Sequence, residues 1–371
     1  MDFKKEKLSL PAEDFEDNDS SIKIDEKALV IRKISVAKRT LIAFFLIIAG
    51  LLIFYYRDYI NLYGIRRVIN FFENITNNEI KVSTDDITYE ITENNQYGFY
   101  KQNIVILSND KLSLYSKDGE ELLNSDLKYA MPALQCTDKY IMVFDRQGTN
   151  LKVFNSYMKL FDKTYDGEII TAKMNNNGYF AVAVKEKNYK GVVIVYNSKF
   201  EELYRRYSAD NFISDVDISN DNKMLAVSLF NSVGGRVLSK IEFFNFNNTD
   251  VLSSIEGIED LIFSIDFKRN RSLHFLTKEA LYVSEDYTTA EKAESFENEY
   301  LQKFLIEDDE HDILALSMQK NANNSELIIF DFSGKAIVKN NLKKDVKSID
   351  INHGKIGVLT NDNIMIYSTL G

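Results

Sequence analysis

From about residue 100 to the C-terminus, apolar positions come in short bursts of four to six residues separated by polar, turn-forming stretches, which is the pattern of half-buried and buried β-strands. Seven of these bursts end on a large side chain that is followed by Ser, Asn or Asp. They are Leu114-Tyr115-Ser116, Val153-Phe154-Asn155, Val195-Tyr196-Asn197, Phe243-Phe244-Asn245, Tyr282-Val283-Ser284, Ile329-Phe330-Asp331 and Ile366-Tyr367-Ser368. The fifth departs from the rest, with Val at the aromatic position. The intervals are 39, 42, 48, 39, 47 and 37 residues, close to the ~40–45 residues of a four-stranded propeller blade.

Each unit carries the other strands of a blade. Upstream of each burst lies a second apolar strand, such as Tyr179–Val184 or Met224–Leu229, and small residues fall in several of them: Ala181, Ala183, Ala226, Ala315 and Gly357. Small side chains there let blades approach one another. Further upstream are shorter strands, Asp215–Ile218, Ser264–Phe267 and Ser348–Ile351. Downstream comes a turn and a fourth strand, as in Gly334–Val338. The expected fold is therefore all-β, a seven-bladed β-propeller over residues 79–371. The last unit stops after its third strand, and Ile87–Ile91 is the free strand expected to complete it, protecting an open edge. Eight blades would leave too few residues for each, and a β-helix or a sandwich array is the alternative β-repeat.

A different pattern precedes the propeller. Thr40–Tyr56 holds no charged residue and is apolar throughout; as a helix it spans roughly 25 Å, enough for a thin or locally thinned bilayer. Tyr55, Tyr56, Tyr59 and Tyr63 fit an interfacial belt. The long polar stretch before the run and the bulky residues after it argue for an uncleaved signal anchor rather than a signal peptide. Lys27, Arg32, Lys33, Lys38 and Arg39 precede the run, and Arg57, Arg66 and Arg67 follow it, which puts the N-terminus in the cytoplasm and the propeller outside. Residues 1–39 read as a mostly disordered tail, residues 40–56 as the transmembrane helix, and residues 57–78 as a juxtamembrane helix and linker.

Charge sharpens this division. Residues 1–39 carry nine Lys or Arg and nine Asp or Glu, so the formal net charge of −11 belongs to the part beyond the apolar run. Such a body disfavours nucleic acid. The single Cys136 reads as a small buried hydrophobe.

The anchor Thr40–Tyr56, the opening Tyr97-Gly98-Phe99, Leu114-Tyr-Ser-Lys-Asp-Gly119 and Tyr196-Asn-Ser198 together resemble a bacterial family of unknown function with one N-terminal span and an extracytoplasmic propeller distantly like WD-repeat and quinoprotein-type propellers. The resemblance covers roughly residues 40–371 and implies the same architecture. The chain has no Trp and no Gly-His dipeptide, so neither quinone docking nor true WD-repeat scaffolding is expected, and no cofactor is assigned.

Chemistry is sparse. His274, His311 and His353 fall in separate repeat units; His274, within an apolar strand, reads as a core or channel residue. The block Asp308-Asp309-Glu310-His311-Asp312 reads as a solvated turn between the first and second strands. No catalytic or metal residue is assigned, and the Asn, Asp or Ser after each third strand is explained by turn chemistry. The loops joining second to third strands are expected to be long in blades three, four and six. They hold Lys185, Lys187, Tyr189, Lys190, Phe230, Arg236, Lys240 and Lys320, a net basic set beside Glu186. That face is expected to meet a protein or an anionic envelope polymer. The leading expectation is a membrane-tethered, non-enzymatic binding scaffold. A polysaccharide-acting lyase or hydrolase in the propeller funnel, or a ligand sensor, are the alternatives; carboxylates converging beside a sizeable cavity would favour the enzyme.

Overall fold

The computed structural model describes residues 38–50, 94–306, 308–319, 324–352, 354–360 and 363–368. The chain divides into two compact units, Met1–Asp58 and Tyr59–Gly371. In the first, residues 38–50 form a helix whose large apolar side chains, Leu41 to Ile47, are exposed. It coincides with the first part of the expected span. The rest of that span, the tail before it, the juxtamembrane helix, the strand Ile87–Ile91, Lys320 and His353 lie outside the described residues. Among the described residues no helix is long and apolar enough to cross a membrane.

The second unit is a ring of seven antiparallel sheets, each a meander of consecutive strands. Blade 1 holds β1 (Gln96–Tyr100), β2 (Asn103–Leu107), β3 (Lys111–Tyr115) and β4 (Glu121–Asp126). Blade 2 holds β5 (Pro132–Cys136), β6 (Ile141–Asp145), β7 (Asn150–Phe154) and β8 (Lys159–Thr164). Blade 3 is β9 (Ile169–Met174), β10 (Phe180–Val184), β11 (Gly191–Tyr196) and β12 (Glu202–Ser208), and blade 4 is β13 (Phe212–Ile218), β14 (Met224–Val233), β15 (Arg236–Asn245) and β16 (Ser253–Ile258). Blade 5 follows with β17 (Ile262–Phe267), β18 (Leu273–Thr277), β19 (Ala280–Ser284) and β20 (Glu291–Ser295). Blade 6 has β21 (Tyr300–Leu305), β22 (His311–Ser317), β23 (Glu326–Asp331) and β24 (Ala336–Asn341). Blade 7 shows three described strands, β25 (Val346–Asn352), β26 (Lys355–Thr360) and β27 (Ile364–Ser368). We call the strands of each blade A to D in chain order; strand A of blade 7 meets strand A of blade 1, so the sheets close into a circle. The seven-bladed, four-stranded architecture expected from the repeat is the one observed.

Two local devices explain the repeat. In five blades the large residue near the end of the third strand is buried, at Tyr115, Phe154, Tyr196, Phe244 and Phe330, and in four of them the pairing of strands C and D shifts register just before it, at Tyr115, Phe154, Tyr196 and Phe330. A bulge at that point turns the aromatic into the core. The polar residue that follows closes the C–D turn: the side-chain oxygens of Ser116, Asn155, Asn197, Asn245 and Asp331 each accept two backbone N–H groups further along. This is Asx- and ST-turn chemistry. The core is divided among the seams: Ala181 and Ala183 of blade 3 pack with Val216, Leu225 and Val227 of blade 4, and Ala226 of blade 4 packs with Ile265 and Phe275 of blade 5. Small residues on second strands thus let successive blades close on one another.

Candidate functional site

The inner strands of blades 3 to 6 carry a run of buried charge. Lys173 on β9 donates to the carbonyl of Ile265 at 2.5 Å and lies 2.8 Å from Asp215 on β13. Asp215 and Asp217, two residues apart and so on one side of β13, accept the backbone N–H groups of Ile265 and Phe267 at 2.9 and 2.7 Å. Lys268, fully buried, directly follows β17. Its ammonium lies 2.9 Å from Asp266 and 2.8 Å from Asp312, and it donates to the carbonyls of Ile306 and Asp308 at 2.6 and 2.7 Å. Burial alone would push this lysine toward neutrality, but the two carboxylates outweigh it and hold it charged above its ordinary value. Burial likewise works to raise Asp312, yet Lys268 and His274 win and hold it below the usual carboxyl range. Nδ1 of His274 sits 2.5 Å from Asp312 Oδ2, while its Nε2 is buried with no hydrogen-bond partner among the described residues. That arrangement assigns the ring proton to Nδ1. His274 is therefore the core residue expected.

The block around His311 differs from its expected form. Asp312 is not in a solvated turn: His311 and Asp312 open strand β22, and Asp312 is completely buried against Lys268. Asp309 reaches across the axis, because its carboxylate accepts from Asn176 of blade 3 and Asn220 of blade 4, both at 3.2 Å, while its carbonyl accepts the Arg269 N–H of blade 5 at 3.1 Å. Burial raises its carboxyl above the ordinary value, with both amides opposing. The A–B turns of blades 3, 4, 5 and 6 are thereby tied together. Beside them, against the A strands of blades 7, 1 and 2, remains a cavity of about 570 Å³. Tyr97, Phe99, Leu134 and Ile349 contribute to its walls, and Asp138, Asp308, Glu310 and Asp350 supply carboxylates. Gly98 lets β1 lie close to β5, since a Cβ there would meet Cys136 Sγ at 3.0 Å and Leu134 Cδ2 at 3.1 Å. Burial pushes the Cys136 thiol up, so it stays protonated and inert. Among the described residues no group of three or more His, Cys, Asp or Glu is arranged to hold a metal ion.

The residues expected at the opposite, B–C, face are partly brought together. In blade 3, Lys185, Lys187, Tyr189 and Lys190 are on the B–C loop as expected. Blade 4 has no long loop: β14 and β15 pair over ten residues each, and Gly234-Gly235, with φ of 61° and 82°, makes the turn. Phe230, Arg236 and Lys240 are strand residues of this projecting hairpin. Positive φ at both turn positions favours such a two-residue link through glycine's freedom, so the long loop expected in blade 4 is instead a hairpin, which the Gly-Gly pair between two strand-like runs signals. The basic character is also locally countered. Lys185 pairs with Glu168 at 2.5 Å, Arg236 with Glu259 at 3.5 Å and Lys240 with Glu242 at 2.6 Å. What stands out instead is an aromatic ledge across the seam of blades 3 and 4. Tyr189 and Tyr207 lie 4.7 Å apart by ring centroid, Phe212 and Phe230 stack at 5.5 Å, and the Lys190 ammonium sits 4.5 Å above Phe212. Tyr189, Tyr207 and Phe212 are each at least 40% exposed. Tyr207 and Phe212 end one blade and begin the next, and strand alternation alone does not reveal that they meet.

Comparison with solved structures returns the fold. The yeast protein Sqt1 from Saccharomyces cerevisiae is 12% identical, with 77% of this chain and 86% of that one covered and a TM-score of 0.50. The Dos1 propeller is 9% identical over 72% of this chain and 76% of that one, with a TM-score of 0.52, and the C-terminal WD40 domain of Sif2 is 12% identical over 72% and 78%, with a TM-score of 0.48. No curated protein matches the chain. Residues 73–371 do match a family model, and the chain belongs to the family described as "Family of unknown function (DUF5711)".

Proposed function

We propose that this protein is a non-catalytic scaffold, held at the cell membrane by the segment Thr40–Tyr56 with its propeller outside, which docks a partner protein on the B–C face of blades 3 and 4. The aromatic ledge carries this reading. Exposed aromatics that stack on one another around a lysine are the side chains that dominate protein interfaces, because they bury much area at little conformational cost. The paired lysines and arginines around the ledge shift the expected partner from an anionic polymer to a protein surface of mixed polarity. A photo-crosslinking residue in place of Tyr189, in the full chain in intact membranes, should give a discrete protein adduct that Phe212→Ala abolishes, and the same residue in place of Asp286 on blade 5 should give none. A ladder of nonspecific adducts from both positions would reject the reading.

A second reading, an enzyme working in the axial cavity, is favoured by the carboxylates gathered there. Against it, Glu310 is paired with Arg269 at 2.6 Å, Asp308 lies 3.2 Å from His311, and Asp309 is held by two amides. These contacts tie each group to structural work.

A further inference from the structure

The axial cavity differs from the opposite face in its charge. Five carboxylates, on Asp138, Asp308, Asp309, Glu310 and Asp350, border it against one lysine, Lys101; with Arg269 paired to Glu310, the carboxylates still outnumber the cations around it. The fields of like charges add in a concavity with low-dielectric walls and concentrate cations there. The walls are not polar throughout. Phe99 is 42% exposed, on a strand pinned in place because its N–H donates to Asp350 Oδ2 at 3.0 Å, and Tyr97 stands on the same strand face two residues before it. Both rings border the cavity. An aromatic wall beside carboxylates is the combination that recognises an organic cation, through ring faces for the cationic end and carboxylates for its N–H donors. The volume falls within the ~300–1,000 Å³ of small-molecule sites, and the cavity is walled by Asp309 and its neighbours on one side and by the A strands of blades 7, 1 and 2 on the other.

We infer that this cavity binds a small aliphatic amine, its ammonium among the carboxylates and its hydrocarbon body along Phe99 and Tyr97. The inference is independent of the ledge on the other face. It is tested by calorimetric titration of the full chain in detergent with cadaverine, its neutral isostere 1,5-pentanediol and the anionic glutarate. Cadaverine should bind saturably and more weakly as salt rises; the diol should bind about tenfold or more weakly, and glutarate not at all. Asp138→Asn and Phe99→Leu should each weaken cadaverine severalfold while the melting curve stays cooperative, and Asp126→Asn, which removes the same charge from the outer edge of blade 1, should leave it unchanged. Absence of cadaverine binding to the unaltered chain, equal binding of the diol, or full binding by both cavity variants would overturn the proposal.

Discussion

Asp217, Asp266 and Asp350 occupy one position in three copies of a Ser/Asp-hydrophobic-Asp-hydrophobic strand, yet they do different work. Asp217 and Asp350 accept a backbone N–H from the neighbouring inner strand, at Phe267 and Phe99, whereas Asp266 pairs with Lys268. Burial raises Asp217 to about 7, offset in part by Lys173 and by the N–H groups of Phe267 and Ile218. The same carboxyl titrates near 4 in an unfolded chain, so between those values the folded state keeps a proton that the unfolded chain has released. Its contribution to stability is therefore complete below about pH 4 and is lost as the pH rises through about 7. Asp217→Asn, which keeps an acceptor for Phe267, should flatten the fall in melting temperature between about pH 5 and pH 8, measured against the unaltered chain by circular dichroism. Lys268 poses the opposite case. Lys268→Ala would leave Asp266 and Asp312 buried without a counter-charge and should cost about 3–5 kcal/mol in chemical denaturation; Asp312→Asn together with Lys268→Met should recover part of that loss.

At the scale of strands and turns, the hairpin of β14 and β15 is the longest element and the one whose turn is most demanding. Gly235, at φ 82°, sits where a β-branched residue is strained by about 1–2 kcal/mol. Gly235→Val should therefore speed hydrogen exchange of the amides near Ser232 and Val237 while leaving the rest of blade 4 protected, because the strain is local to a projecting tip. Strand content, blade number and the C–D turns were legible because burial, aromatic bulge and turn chemistry recur at a fixed interval, so each copy reinforces the others. The candidate sites were not. Asp309 meets Asn176 across 133 residues of chain, and the ledge is made by the end of one blade and the start of the next; neither leaves a short-range signal. The inner aspartates were visible as a strand motif, but strand alternation says nothing about which neighbour a side chain serves. The histidine between Leu273 and Phe275 was readable as buried from its apolar flanks, and its partner Asp312 was hidden by an acidic stretch that looks solvent-facing.

Across the whole molecule, the seams are not alike. Blades 3 to 6 are stitched by charge, through Lys173, Asp215, Lys268 and Asp312, while blades 1 and 2 meet through the Gln96 side chain, which donates to the Pro132 carbonyl at 2.7 Å and accepts the Leu134 N–H at 2.9 Å. Among the described residues, the seam between blades 7 and 1 is bridged by the Asp350 carboxylate, which accepts the Phe99 N–H. Asp350→Ala should cost about 0.5–1.5 kcal/mol, the net worth of one hydrogen bond at a donor that water can reach, and should speed exchange of the Phe99 amide while the buried Phe267 amide, held by Asp217, keeps its protection. Unfolding of the ring is then expected to begin at this seam.

The place of that carboxylate has a mechanical consequence. Among the described strands β1 comes first, so tension applied at Gln96 arrives at the strand carrying Phe99, one hydrogen bond from the joint to blade 7. A pull there would load Asp350 before it strains any charged seam, and single-molecule stretching through an attachment at Gln96 should show an early rupture that Asp350→Ala removes. The ring thus has its breakable link on the strand that is pulled, and the half stitched by charge can stay assembled while that link gives way.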